Sequence, residues 1–229
     1  MSKKIKTIGM VVAMDKEIKP FLASVGKCVL SKKKGQFEIF GYKTENKDIY
    51  LIKSGIGEIY ASSATQLLIS EYNVDIILNF GVCGSLGGVS LLDTVIVKGV
   101  AHYGIDLSAI DDVKVGQYPG YDTPIISAEN EYLPLIKKVM GDVNEVVCAS
   151  ADKFVADSSI KNYLKSTFNA EVCDMESAGV LLTAKGSGIP CIIIKAVSDG
   201  EGGVAEFNAL VHKASQKYVN AINEIIKEF

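Results

Sequence analysis

Residues 191–200, CIIIKAVSDG, decide the fold class of this chain. A continuous Ile and Val run of this kind is typical of a strand covered on both faces, and Asp199 follows where the strand ends. Further apolar runs predict strands at residues 8–13, 49–53, 76–80, 95–97 and 146–149. Helical spacing occurs at residues 59–72, 129–140, 158–167, 176–185 and 206–229. This alternation predicts an α/β fold with a mixed or parallel central sheet.

The composition is that of one globular domain. The chain has 229 residues, of which 48% are hydrophobic and 22% charged, and its net charge is −3. This length and hydrophobic content suit a single domain over residues 1–229. A slightly acidic chain has no electrostatic footprint for nucleic acid, so we expect a small molecule or a second copy of the chain as the partner.

The N-terminal region and the cysteines indicate the compartment. The apolar run that follows the first lysines ends after seven residues, at Asp15, which is too short for an export signal. No apolar run in the sequence has the length of a membrane span. The five cysteines are odd in number and lack CxxC spacing, which argues against a disulfide framework or a metal site. We expect a cytoplasmic protein without membrane segments.

Lysine- and glycine-rich segments separate several of the predicted elements. Residues 29–31 and 37–42 predict a hairpin with a lysine-rich turn at residues 32–35. The sequence SGIG at residues 54–57 only weakly resembles a dinucleotide-binding loop, because the third small position falls on Tyr60. We predict a tight turn that opens onto a helix N-terminus. Residues 81–88 hold four glycines, which predicts either a flexible turn or a close approach of the backbone to a ligand.

Acidic residues follow three predicted strands, where α/β proteins commonly bind ligands. Glu17 follows the first strand and also fits an ordinary charged first turn of a helix. Asp174 and Glu176 flank Met175 at a strand-to-helix junction, where they could bind a sugar diol or cap the helix. Asp199 could cap a turn, or its pKa could be raised by burial so that it donates a proton at neutral pH.

The segments AMDKE, SGIG, NFGVCGS, QYPGY, DKFV, CDMESAG and KAVSDG, in this order, resemble the nucleoside phosphorylase/nucleosidase superfamily over residues 8–229. The nearest resemblance is to the 5′-methylthioadenosine/S-adenosylhomocysteine nucleosidases. It implies a three-layer α/β/α sandwich around a central mixed, barrel-like β-sheet. It also implies a homodimer that needs no cofactor or metal and releases adenine from a nucleoside.

The resemblance assigns the chemical roles to a few side chains. Asp199 would protonate N7 of the purine and would be oriented by Ser198. Glu17 would activate the attacking water. Glu176 would bind the ribose hydroxyls, and Met175 would help to hold the sugar.

The resemblance also assigns the contacts around the base and the sugar. Phe154 would stack on the base, and the backbone of Val155 would read the purine edge. Met14 and Ile56 would border the ribose and its 5′ substituent.

Three features depart from the family pattern. Val82 stands where Ser or Thr commonly helps to hold the attacking water, and Lys195 stands where Arg is common. By the resemblance, both residues would still lie among those that bind the substrate. The loop at residues 200–205 is shorter than usual. These departures concern the 5′ group and the rate, and they leave the acid, the base and the ribose carboxylate in place.

The basic residues bear on whether water or phosphate is the second substrate. All 24 are lysine, and Asn79 stands where phosphorylases of the bacterial type place an arginine. Arginine is the usual bidentate ligand of phosphate, so we predict hydrolysis. A purine nucleoside phosphorylase and a nucleoside-binding protein without catalysis are the alternatives.

Overall fold

The computed structural model describes residues 4–229, and this part of the chain forms a mixed α/β fold. The strands are β1 (Thr7–Val12), β2 (Cys28–Lys34), β3 (Phe37–Lys43), β4 (Asp48–Lys53), β5 (Ile76–Ser85), β6 (Thr94–His102), β7 (Ile125–Ser127), β8 (Asn144–Ser150), β9 (Val172–Asp174) and β10 (Cys191–Asp199). The helices are α1 (Asp15–Leu22), α2 (Glu58–Tyr72), α3 (Leu133–Met140), α4 (Ser158–Phe168), α5 (Ser177–Gly186), α6 (Val204–Lys217) and α7 (Val219–Glu228).

The sheet is mixed and part of it closes on itself. Its order is β10-β6-β8-β9-β5-β1-β4-β3-β2, and β10 also pairs with β5, so that β10, β6, β8, β9 and β5 form a closed barrel. The central neighbours β1, β4, β5 and β10 pair in parallel, whereas β6 and β9 add antiparallel pairs. The predicted barrel-like mixed sheet is therefore confirmed.

Helices cover both faces of the sheet and form the outer layers of the predicted sandwich. One apolar cluster packs α1, α3, α6 and α7 against the sheet, and a second packs α2 and α5 against the opposite face. β5 and β10 are buried along their whole length, as their runs of apolar residues predict. In the described residues, no helix is both long and apolar enough to cross a bilayer.

Three sequence predictions of local structure are wrong. Lys32 to Lys34 lie in β2, and the hairpin turn is Gly35 and Gln36. The glycine-rich segment is not a loop from Gly81 onward, because β5 continues through Ser85 by pairing with β10 and β9. The C-terminal helical stretch is two helices that meet at the buried Tyr218.

Candidate active site

A cavity of about 370 Å³ opens where β5, β9 and β10 end and α1 begins. It brings together most of the residues predicted for the site, although they are far apart in the sequence. These are Met14, Glu17, Ile56, Val82, Phe154, Met175, Glu176, Ser198 and Asp199. Cys83, Gly84, Cys173, Asp174 and Phe207 complete the lining.

Glu17 lies in the first turn of α1 with its carboxylate turned into the protein. One oxygen accepts the backbone N–H of Val82 at 2.8 Å, and the other accepts that of Met14 at 2.9 Å. The Tyr218 hydroxyl donates to the Glu17 carbonyl at 3.0 Å. Burial raises the pKa of Glu17, against the nearby positive charge of Lys195. Glu17 is thus a buried carboxyl group that binds a proton more readily than an exposed glutamate does.

Asp199 ends β10 beside β5. The pairing register shifts between Val197 and Asp199, which places Asp199 opposite Gly84. Oδ1 accepts the Ser198 hydroxyl at 2.8 Å. Burial raises the pKa of Asp199, while the Ser198 hydrogen bond and the charge of Lys161 act in the opposite direction. A carboxyl group with a raised pKa is suited to donating a proton near neutral pH.

Glu176 stands at the start of α5 and faces the glycine turn that precedes α2. Its Oε1 accepts the Gly57 N–H at 2.9 Å, at a residue whose φ of 106° strongly favours glycine. The Gly57 N–H at this turn therefore donates to a side chain of the protein, the carboxyl group of Glu176. Burial and the neighbouring charges of Asp174 and Glu17 raise the pKa of Glu176 to about 8, although Lys195 and the Gly57 N–H lower it.

Lys195 lies beneath the cavity and does not line it. Its ammonium group pairs with Asp174 at 2.8 Å, and both side chains are almost completely buried. The hydroxyls of Ser150 and Ser177 also donate to Asp174, at 2.6 and 2.5 Å. Burial alone would raise the pKa of Asp174, but Lys195 and these hydrogen bonds outweigh it and hold the pKa below its usual value. Lys195 is thus the counter-ion of a cluster of acids.

The aromatic part of the site lies at the mouth of the cavity. Phe154 is 40% exposed, and its ring meets that of Phe207 on α6 at a centroid distance of 5.7 Å. The sequence does not distinguish Phe207 as a site residue, because its only signal is its position on the helix that follows Asp199. The side chain of Val155 does not line the cavity and packs in a separate apolar cluster beside α4.

Within residues 4–229, no three His, Cys, Asp or Glu side chains are grouped as metal ligands would be. The five cysteines are all free thiols. The functional groups that line the cavity are carboxyl groups, a serine hydroxyl, aromatic rings and the thiols of Cys83 and Cys173. They can transfer protons and bind a flat ligand that carries hydroxyl groups.

Replacing Lys195 by Met should destabilise the fold because it leaves Asp174 buried without its counter-ion. We expect the free energy of unfolding to fall by about 3–5 kcal/mol, as measured by urea denaturation. A double variant, D174N/K195M, should recover part of this loss. Lys213→Met, at an exposed position on α6, is the matched control and should change little. Equal stability of K195M and K213M would contradict the counter-ion role.

The chain is similar to known proteins over most of its length. The phosphorylase superfamily model matches residues 7–229. A 5′-methylthioadenosine/S-adenosylhomocysteine nucleosidase of Buchnera aphidicola is 32% identical over 88% of each chain. The aminodeoxyfutalosine nucleosidase of Helicobacter pylori is 28% identical over 98% of this chain and 99% of its own. The structure of a 5′-methylthioadenosine/S-adenosylhomocysteine nucleosidase from Neisseria meningitidis, in complex with methylthio-immucillin-A, superposes with a TM-score of 0.91 and 26% identity, covering 98% of this chain and 100% of that chain.

The chain therefore belongs to the phosphorylase superfamily. Its place among relatives that are nucleosidases makes it an N-glycosyl hydrolase. The reaction class predicted from the order of the sequence motifs is thereby confirmed.

Proposed function

We propose that this protein hydrolyses the N-glycosidic bond of an adenine nucleoside that carries a 5′ substituent, releasing adenine. The substrate is 5′-methylthioadenosine, S-adenosylhomocysteine or a related compound. The observation that carries the proposal is the convergence of Glu17, Glu176 and Asp199 on one cavity of about 370 Å³. The names of several relatives support this substrate class.

Asp199 acts on the leaving group. Cleavage of the glycosidic bond leaves negative charge on the departing base, and protonation at N7 by Asp199 turns the base into a neutral leaving group. The Ser198 hydroxyl holds Oδ1, so that the other carboxyl oxygen is left for the purine. General acid catalysis of this kind contributes roughly 10²- to 10⁴-fold.

Glu17 and Glu176 act on the sugar side. Positive charge develops on the ribose as the bond breaks, and this charge favours the ionised form of Glu176. The Glu176 carboxylate then stabilises the charge while accepting the ribose hydroxyls. Glu17 takes a proton from the water that attacks C1′. Val82 provides no hydroxyl to this water, and its backbone N–H is already bonded to Glu17.

Aromatic and apolar side chains bind the rest of the nucleoside. Phe154 stacks on the base, and the backbone of Val155 is proposed to read the purine edge. Met14, Met175 and Ile56 border the ribose and the 5′ group. Phe207 packs against Phe154 and fixes one wall of the base site.

Adenine release should not depend on phosphate. Purified protein with 5′-methylthioadenosine should release adenine at the same rate with and without inorganic phosphate, because the chain has no arginine to bind phosphate in the bidentate mode. The reaction is followed by separating adenine, and the sugar product is tested for phosphate. Strict phosphate dependence would identify a phosphorylase instead. Binding of adenosine analogues without any base release over hours would identify a binding protein.

An aminodeoxyfutalosine nucleosidase is a second candidate within the same reaction class. It is supported by the Helicobacter pylori relative, which matches nearly the full length of both chains. A panel of 5′-methylthioadenosine, S-adenosylhomocysteine, aminodeoxyfutalosine and adenosine, compared by kcat/KM, distinguishes the two. The preferred 5′ substituent is the one carried by the substrate with the highest kcat/KM.

The protein is also proposed to act as a homodimer. Ile56 and Phe154 line the cavity yet are 52% and 40% exposed, and Ile59 and Tyr60, which follow Ile56 in sequence, are 73% and 45% exposed. A second copy of the chain that covers these apolar side chains would shield the substrate from water. Light scattering after size-exclusion chromatography measures the mass in solution.

A further inference from the structure

A single serine hydroxyl lies between two buried carboxyl groups behind the candidate site. The Ser150 oxygen is 2.5 Å from Oε1 of Glu58 and 2.6 Å from Oδ1 of Asp174, and all three side chains are buried. A serine hydroxyl has one proton to donate. It cannot donate to two carboxylates at once, so one of these short contacts requires a proton on a carboxyl group.

The ion pair and the hydrogen bonds around the two carboxyl groups indicate which of them carries that proton. Asp174 pairs with the Lys195 ammonium group and accepts the Ser177 hydroxyl, as expected of an ionised carboxylate. Glu58 has no cation as a partner in the described contacts; its Oε2 accepts the Gly179 N–H, which is how the carbonyl oxygen of a carboxylic acid behaves. With a proton on Glu58, its O–H would donate to the Ser150 oxygen, and the Ser150 hydroxyl would donate to Asp174.

Glu58 is also part of the segment that holds the ribose carboxylate. It is the first residue of α2 and directly follows Gly57, whose N–H donates to Glu176. The Glu58 backbone N–H donates to Asp152, which follows β8, at 2.7 Å. The Glu58 side chain contacts Ser150 at the end of β8 and Gly179 in α5, so these hydrogen bonds connect the turn to both elements. Gly55 and Gly57 both have positive φ, so the turn has little conformational preference of its own.

From this geometry we propose that Glu58 is a protonated positioning residue, which through Ser150 and Gly179 fixes the turn that presents the Gly57 N–H to Glu176. If Glu58 lost its proton, two carboxylates would compete for the single proton of the Ser150 hydroxyl. The hydrogen bonds that hold the turn would then be weaker. The positioning role rests on the proposed function, whereas the proton on Glu58 does not.

The charges around Glu58 agree with this assignment. Burial, with the charges of Asp174 and Asp152, raises the pKa of Glu58 to about 7, although hydrogen bonds from Ser150 and Gly179 lower it. The charge of Glu58 also acts on Tyr103 and Tyr118. Burial raises the pKa of each tyrosine, and Glu58 raises it further. The proton on Glu58 is therefore present in mildly acidic solution and lost as the pH rises through about 7.

Glu58→Gln is the sharpest test, because an amide donates to Ser150 and accepts from Gly179 as the protonated acid does, but does not titrate. A raised pKa in the folded state means stability that is present at low pH and lost as the pH rises through about 7. The melting temperature of E58Q minus that of the wild type should therefore increase by at least about 4 °C between about pH 5.5 and about pH 8.5. E58A, which removes the acceptor of the Gly179 N–H and one of the hydrogen-bond partners of Ser150, should melt below E58Q at every pH.

Two further measurements separate the proton from its role in catalysis. Infrared difference spectra between the two pH values should show a protonated-carboxyl band that is weaker in E58Q than in the wild type, because Glu176, whose pKa is also raised, contributes to the band in both proteins. The ratio of kcat/KM of E58Q to that of the wild type should rise at least about threefold over the same pH range. Glu45→Gln, in the exposed turn between β3 and β4, is the control and should change neither readout.

A melting difference that stays constant with pH, together with an unchanged infrared band in E58Q, would overturn the proton assignment. A pH-dependent stability with a constant kcat/KM ratio would overturn the positioning role. If E58Q shows the expected stability and infrared changes but the wild type cleaves no adenine nucleoside, the proposed function fails and the proton on Glu58 stands.

Discussion

Asp199→Asn is expected to lower kcat about 10²- to 10⁴-fold for adenine release, with the fold unchanged. Asparagine keeps an oxygen that can accept the Ser198 hydroxyl, so its buried contacts are conserved. Its amide can donate a hydrogen bond to N7 but cannot transfer a proton, so the base has to leave as an anion. Substrate affinity should change far less than kcat, because the missing interaction develops in the transition state.

The matched control is Asp142→Asn, which makes the same chemical change at an exposed position between α3 and β8. Its kcat and melting temperature should equal those of the wild type. Single-turnover measurements on both variants separate cleavage from product release. A D199N variant that cleaves at the wild-type rate would exclude Asp199 as the acid.

Glu17→Gln should lower kcat by a similar factor of about 10²–10⁴, because an amide cannot accept a proton from water. Both Glu17 oxygens accept a backbone N–H, from Val82 and from Met14, so the amide nitrogen of Gln must face one of these donors. The free energy of unfolding should therefore fall as well, by about 1–3 kcal/mol. Chemical denaturation shows whether the variant is folded under the assay conditions.

Binding and turnover have to be separated for this variant. A nucleoside analogue whose base is joined to the sugar by a carbon–carbon bond cannot be hydrolysed and serves as the binding probe. E17Q should bind it with nearly the wild-type Kd while its kcat is greatly reduced. Glu45→Gln controls for the substitution itself. A large loss of affinity with an unchanged kcat would assign Glu17 to binding and not to catalysis.

The sequence predicts the centre of the fold well and its short elements poorly. β1, β4, β8 and β10 were predicted because strands buried on both faces need continuous β-branched and apolar residues. β7 and β9 have three residues each, which is too short for any periodicity, and their pairing partners are distant in the sequence. The run from Gly81 to Ser85 has loop composition, yet it is a strand because β10 and β9 supply its hydrogen bonds.

The candidate site shows the same division. The acids that follow strand ends were identified because the carboxyl ends of parallel strands meet at one place in the sheet. Lys195 was expected at the ligand by family resemblance, but its side chain is committed to Asp174 beneath the cavity. Glu58 has no distinguishing feature in the sequence, where it is an acid in a first helical turn. Its burial depends on Gly179 and Ser150, which no local pattern connects to it.

Two glycines of β5 lie where carboxyl groups from α1 and β10 approach the strand backbone. A Cβ atom at Gly81 would lie 2.5 Å from Oε1 of Glu17, and one at Gly84 would lie 3.0 Å from Oδ2 of Asp199. The space that two side chains would have filled is occupied by the carboxylates of α1 and β10. Gly81 and Gly84 thus leave the space in which the carboxyl groups of Glu17 and Asp199 lie. Substitutions in this strand can therefore change the distance between the acid and the base without replacing either residue.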